Sequence, residues 1–113
     1  METQKETENN IAQLQLLEQN IQNFLIQKQS FQTQIIEIDN ALEEIKKTKG
    51  QTYRIVGAIM VSSEKEEIKE DLQNKKEIVG LRIKAIEKQE NQLKEKASKL
   101  QSEVLKTMKP KEK

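Results

Sequence analysis

The sequence contains no cysteine and no histidine among its 113 residues. Without cysteine the chain has no disulfide framework and no thiol chemistry, and without histidine it lacks the commonest zinc ligand and the usual proton shuttle near neutral pH. It has no glycine-rich phosphate loop, and its carboxylates alternate with lysines as they do on solvated helix faces. The sequence therefore predicts that the protein is not an enzyme and holds no metal or cofactor.

Proline, glycine and aromatic residues are scarce, with one Pro, three Gly, two Phe and one Tyr. Charged residues make up 35% of the chain and apolar residues 34%, whereas globular domains average about 25% and about 45–50%. So polar a composition is compatible with long helices or with disorder, and hydrophobic periodicity decides between them. A large core within one copy of the chain is not expected.

Charge of one sign and long apolar runs are also missing. The 20 basic and 19 acidic residues are intermixed and leave a net charge of +1, which argues against a phosphate-binding stripe. No apolar run approaches the length of a transmembrane helix, and the polar residues 1–10 do not resemble a signal peptide. We therefore expect a cytoplasmic protein that binds neither membranes nor nucleic acids.

A heptad pattern in the first half of the chain predicts a long helix over residues 8–48. The residues at its a and d positions form a line, called the seam below, that runs through Leu14, Leu17, Ile21, Phe24, Lys28, Phe31, Ile35, Ile38, Leu42 and Ile45. The polar member, Lys28, is more typical of a buried residue that fixes register than of a client or partner contact. Gly50, which follows several lysines, suits the end of this helix.

β-Branched and aromatic residues surround Gly57 and predict a tight β-hairpin over residues 52–62. A two-residue turn that begins at Gly57 places Val56 opposite Ile59. Both faces of this hairpin carry apolar side chains, and an isolated two-stranded hairpin is marginal in water. For Arg54, a pair across a subunit interface and an exposed charge that protects the strand edge are both open. We predict oligomerisation through Tyr53, Arg54, Ile55, Val56, Gly57, Ile59, Met60 and Val61.

A second heptad pattern predicts a helix over residues 63–108, with Ser63 as its N-cap and Glu66 as the capping-box partner. Its seam runs through Leu72, Lys76, Val79, Ile83, Ile86, Glu90, Leu93, Ala97, Leu100 and Val104. Pro110 ends the pattern, so residues 109–113 form a tail.

The two seams match when the helices are antiparallel. Pairing Leu14 with Leu100 and Leu42 with Leu72 places the mirror point of the helices on Gly57, the predicted turn. This register sets the acidic start of the chain beside its basic end, although a shift by one heptad fits the seams as well. The predicted fold class is therefore mainly α, a long antiparallel two-helix coiled coil joined by a central β-hairpin, within a single domain over residues 1–113.

This arrangement, with Tyr-Arg-Ile-Val-Gly-Ala-Ile-Met-Val at residues 53–61, resembles the archaeal prefoldin β subunit. Further similarity lies in residues 27–29, 41–44 and 86–90, and the resemblance covers residues 10–108. The α subunit of that family is expected to have a second hairpin, for which there is no room between Gly50 and Ser63.

The resemblance implies an ATP-independent chaperone, a holdase, in which two α-type and four β-type subunits join their hairpins into a hexamer. It also implies that the helix ends capture unfolded polypeptides and pass them to a group II chaperonin. A coiled coil frays at its ends, so apolar side chains there become open to any apolar segment. Ile11, Leu16 and Leu105 fall outside the seam at these ends. The candidate client-binding residues are Ile11, Leu14, Leu16, Leu17, Leu100, Val104, Leu105 and Met108.

Two other functions fit parts of the same pattern. A structural coiled-coil adaptor has the same expected fold but binds one defined folded partner, so binding of several unrelated unfolded clients distinguishes it from a holdase. Nucleic-acid binding through the lysines of residues 94–113 is a further alternative. That segment has no interleaved aromatics and contains three glutamates, so phosphate contacts there would be non-specific and would vanish at moderate salt.

Overall fold

The computed structural model describes residues 2–108, with side chains from residue 4 to residue 107. The chain forms helix α1 (Glu2–Lys47), strand β1 (Thr52–Val56), strand β2 (Ile59–Ser63) and helix α2 (Lys65–Met108). This order confirms the predicted fold class, in which two long helices flank an antiparallel β-hairpin. The predicted tail, residues 109–113, lies outside the described residues.

The chain groups into two compact units. The terminal unit contains Met1–Lys28 and Ala85–Lys113, and the hairpin unit contains Gln29–Lys84. In each unit a stretch of α1 packs against a stretch of α2, and the hairpin unit also holds both strands.

Helix α1 starts earlier than predicted and ends almost where its seam ends. It begins at Glu2 rather than at residue 8, because the intervening residues are polar and include neither Gly nor Pro. It ends at Lys47, after which the hydroxyl and the N–H of Thr48 both donate to the Glu44 carbonyl, at 2.8 and 3.1 Å. The Lys65 amine donates to the Thr48 carbonyl at 3.0 Å, so a cation stabilises the carbonyl end of the helix.

The predicted N-cap at Ser63 is wrong. Ser63 is the last residue of β2, where it pairs with Thr52, and the Thr52 hydroxyl donates to the Ser63 carbonyl at 2.6 Å. The strand extends to residue 63 because this pair and this hydrogen bond satisfy the backbone there. Helix α2 instead follows Glu64, whose carbonyl accepts the N–H of Ile68 at 3.1 Å. Two glutamates remain in its first turn and stabilise its positive end.

In each unit the core is a narrow line along the predicted seams. Among the described residues the buried apolar side chains are Ile38, Ile45, Val79, Ile86 and Val104, and all five lie in a predicted seam. Lys76 holds a seam position but is not part of this core. Its side chain is 46% exposed, and its amine pairs with the Asp39 carboxylate at 2.7 Å. No helix in the described part of the chain is long and apolar enough to cross a membrane.

Contacts between the helices fix their register in each unit. In the terminal unit the Thr7 hydroxyl donates to the Thr107 hydroxyl at 2.9 Å, and in the hairpin unit the Asp39–Lys76 pair connects the helices. A shift by one heptad would move each partner by about 10 Å along its helix. The shifted register is therefore excluded, and the mirror point on Gly57 is correct.

The hairpin has the predicted register and turn. Val56 pairs with Ile59, and the ladder continues to Thr52 and Ser63, one pair beyond the prediction. Gly57 has a φ of 63° and is the only described residue with a positive φ. Glycine at the first central position with positive φ there alone defines a type II′ turn, whose twist matches that of the strands.

Candidate functional site

The first candidate site is the hairpin, whose apolar side chains face solvent on both sides. Ile55 is 69% exposed and Ile59 66% exposed, and both strand edges are open because the sheet has two strands. Tyr53, Val56, Met60 and Val61 are exposed as well. A surface of this kind is unstable in water unless another sheet or subunit covers it.

Arg54 makes an ion pair that the sequence did not predict. Its Nη1 lies 2.6 Å from Oδ2 of Asp71, and its Nη2 lies 4.0 Å from Oε2 of Glu67, so the pair stays within one chain and joins β1 to α2. Asp71 and Glu67 are one turn apart, and that spacing was the only signal for the pair in the sequence. Arg54 therefore connects the hairpin to the second helix through an exposed ion pair.

The second candidate site lies at the helix ends in the terminal unit. Leu16 is 58% exposed and Leu105 56% exposed, as expected for residues outside the seam. Ile11 is half-buried instead, as are Leu14, Leu17 and Leu100, and Val104 is buried. The side chain of Met108, another predicted member, lies outside the described residues.

An open groove brings three of these predicted residues together. Leu16, Leu17 and Leu100 form its apolar surface, while Leu105 and Ile11 are not part of its lining. The apolar residues at the helix ends are thus divided between a groove and a separately exposed Leu105. The remaining residues of the groove are polar or charged: Gln13, Lys96, Lys99 and Glu103.

A second groove in the same unit was missed from the sequence. Phe24 and Leu93, both half-buried, form its apolar floor. All its other lining residues carry carboxamides: Asn20, Asn23, Gln27, Gln89 and Gln92. The sequence shows these amides only as scattered polar positions, since their grouping depends on the register of the two helices.

A charged pair lies in the seam beside this groove. The Lys28 amine donates to Oε1 of Glu90 at 2.9 Å, and the two side chains are 17% and 5% exposed. This hydrogen bond holds the pKa of Glu90 below its ordinary value of 4.5, although burial of the carboxylate acts in the opposite direction, and the charges of Lys28 and Lys94 lower it further. Lys28 therefore lies in the seam as the sequence predicted, half-buried, and its partner is the buried Glu90.

Replacing Lys28 with methionine is expected to destabilise the folded chain at neutral pH by about 2–4 kcal/mol, because a buried carboxylate loses its partner. Adding Glu90→Leu should restore most of this loss. The folded pKa of Glu90 lies below the unfolded one, so the pair stabilises above the unfolded pKa, and this contribution disappears as the pH falls through the folded pKa. The difference between Lys28→Met and the unmodified chain should therefore shrink on acidification.

Urea unfolding at neutral and at acidic pH measures this effect. Lys76→Met is the matched control, because its partner Asp39 is about half exposed and such pairs contribute about 0–1 kcal/mol. Equal stability of Lys28→Met and the unmodified chain at neutral pH would contradict the role given to the buried pair.

Comparison with known proteins gives consistent matches over nearly the whole chain. A family model described as Prefoldin subunit matches residues 8–111. The prefoldin subunit beta of Archaeoglobus fulgidus is 33% identical over 107 residues, which are 93% of this chain and 92% of the relative. That of Methanospirillum hungatei is 37% identical over 99 residues, covering 86% and 82% of the two chains.

A solved structure matches the fold as well. The crystal structure of the prefoldin beta subunit from Thermococcus strain KS-1 superposes with a TM-score of 0.86 at 29% identity. The match covers 93% of this chain and 94% of that one. Similarity therefore extends through both helices and the hairpin rather than stopping at one element.

Proposed function

This chain belongs to the prefoldin family of chaperone subunits, and from that premise we propose that it is a β-type subunit that holds non-native polypeptides without ATP. The observation that carries the proposal is the apolar surface at the helix ends of the terminal unit, where Leu16 and Leu105 are more than half exposed. Nothing else in the described chain covers these side chains. An unfolded segment with apolar residues is a suitable occupant, because its burial needs no defined sequence.

The proposal includes assembly through the hairpin. The exposed faces around Ile55 and Ile59 and the two open strand edges call for partner subunits. The relatives named above are β subunits of prefoldin, which supports a complex with other prefoldin subunits. We propose that this complex is a hexamer of two α and four β chains, in which an α-type partner and further β copies join this chain. Delivery of the held polypeptide to a group II chaperonin is the last step of the proposed function.

Paired substitutions test the holding function. Leu16→Gln with Leu105→Gln removes the two exposed leucines and keeps good helix formers at both positions. We expect this variant to protect a denatured enzyme from aggregation about tenfold less well, since burying one leucine contributes about 1.5–3 kcal/mol and tenfold corresponds to about 1.4 kcal/mol. Light scattering of the diluted enzyme, without nucleotide, measures the protection.

The matched control replaces equally exposed apolar residues in the hairpin unit. Ile36 and Leu81 are 60% and 61% exposed and also lie one on each helix. Ile36→Gln with Leu81→Gln should leave protection unchanged once assembly has been verified by native mass. Equal loss in both variants would mean that any exposed apolar residue acts in this way, and the assignment to the helix ends would be wrong.

A further inference from the structure

The two grooves of the terminal unit lie on one flank of the paired helices. Apart from Leu17 and Phe24, their lining residues on α1 follow one another at intervals of three and four, which places them on one helix face. Apart from Leu93 and Leu100, the same intervals separate the lining residues on α2. The α1 rim consists of Gln13, Leu16, Asn20, Asn23 and Gln27, and the α2 rim of Gln89, Gln92, Lys96, Lys99 and Glu103.

Taken end to end, the two grooves have the length and floor of a site for an extended peptide, and they are treated below as the two halves of one groove. From Gln13 to Gln27 the α1 rim spans about 21 Å at 1.5 Å per residue, and an extended chain covers that length with about six residues. Leu17 and Leu100 form the floor of one half, and Phe24 and Leu93 form the floor of the other. Alternate side chains of an extended segment point to the same face and are able to contact such a floor.

The rims of the two halves differ in chemistry. One half carries Lys96, Lys99 and Glu103, whereas every polar residue that lines the other half is a carboxamide. A carboxamide presents both hydrogen-bond donors and an acceptor, without charge. The main chain of an extended polypeptide presents the same groups, one N–H and one C=O for each residue other than proline. The amide rim therefore complements a main chain rather than any particular side chain.

We infer that the amide half of this groove binds the main chain of an extended, non-native segment. The carboxamides exchange hydrogen bonds with its N–H and C=O groups, while Phe24 and Leu93 contact its apolar side chains. This inference rests on the proposed function and deepens it. It extends the client contact from the helix ends to Gln27 and Gln89, and it names a feature common to all unfolded clients, unpaired main-chain groups, as the recognised chemistry.

A variant with four rim amides removed tests the inference. Asn23, Gln27, Gln89 and Gln92 are all exposed, and alanine at these positions preserves the helices because it is the best helix former. The matched control is alanine at Gln15, Gln22, Asn91 and Gln101, which are equally exposed, equally divided between the helices and absent from the groove lining. Both variants are examined as full chains co-assembled with an α-type subunit.

The probe is a short fluorescein-labelled peptide of alternating leucine and serine, together with the same peptide methylated at alternate backbone nitrogens. We expect the groove variant to bind the unmethylated peptide about tenfold more weakly, because several main-chain hydrogen bonds are lost, and the control variant to bind it unchanged. The methylated peptide should bind the unmodified assembly about tenfold more weakly, with little further loss in the groove variant.

Two results would overturn the inference: equal binding of both peptides by the unmodified assembly, or equal binding by the groove and control variants. Protection of a denatured enzyme is measured on the same samples, which separates the inference from the proposed function. If the unmodified assembly protects the enzyme but shows either of these results, main-chain recognition fails and the holdase proposal stands. If the unmodified assembly protects no enzyme, both fail.

Discussion

Replacing Gly57 with valine is expected to prevent assembly through the hairpin while both helices stay folded. The φ of 63° at Gly57 lies in the left-handed region, where a side chain costs about 1–2 kcal/mol and a β-branched one is a marked outlier. Crowding is not the reason, since a Cβ at this position would meet nothing within 4 Å. The cost falls on a two-stranded hairpin that is marginal on its own, and every β-type subunit of an assembly would bear it.

Native mass spectrometry of the chain co-expressed with an α-type subunit measures this effect, with circular dichroism to verify the helices. Gly57→Asn is the sharpest control, because asparagine, like glycine, is accepted at the positive-φ positions of primed turns, and it should assemble. Gly80→Ala, at another open glycine within α2, should assemble as well. An intact assembly of Gly57→Val would count against the hairpin as the point of association.

The seams and the hairpin were predictable because short-range sequence features determine them. Apolar residues at heptad spacing have to face a partner helix, and the buried side chains of Ile38, Val79 and Ile86 lie where that spacing puts them. The turn follows from Gly57, since a two-residue hairpin loop needs a positive φ that glycine adopts freely. These features require no knowledge of which distant residues meet.

The errors arose where distant parts of the chain compete for the same residue. Ser63 has the local pattern of an N-cap, but pairing with Thr52 extends the strand through it. Lys76 falls on a seam position, yet its amine finds Asp39 outside the seam and carries the side chain into solvent. Local propensity does not contain these contacts between distant segments of the same chain, so it assigned both residues wrongly.

The polar contacts of the candidate sites needed the three-dimensional register. Lys28 and Glu90 were both assigned to seams, but the sequence did not identify them as partners, and the long side chain of Lys28 reaches the Glu90 carboxylate only in the folded register. The sequence showed Arg54 as an unusual charge in the hairpin but did not identify its partner Asp71. Neither segment alone determines how the hairpin lies against α2. The amide half of the groove also could not be predicted from the sequence, because its two rims lie on different helices, far apart in the sequence.

Removing residues 1–13 and 104–113 is expected to reduce protection of denatured clients at least about tenfold, because the change deletes the exposed Leu105 and the buried Val104 and removes Gln13 from the groove lining. The hairpin unit, Gln29–Lys84, is untouched. The shortened chain should therefore assemble with an α-type subunit as the full chain does, and native mass verifies this. Loss of protection with intact assembly separates the client-binding role of the helix ends from the assembly role of the hairpin.

The most direct measurement compares the full and shortened assemblies by light scattering, with several unrelated denatured enzymes and no nucleotide. The full assembly should suppress aggregation of every enzyme, and the shortened assembly should need at least about tenfold more protein for the same effect. Full protection by the shortened assembly would contradict client binding at the helix ends. Protection of no client, or of a single one, by the full assembly would contradict the holdase function and favour an adaptor with one defined partner.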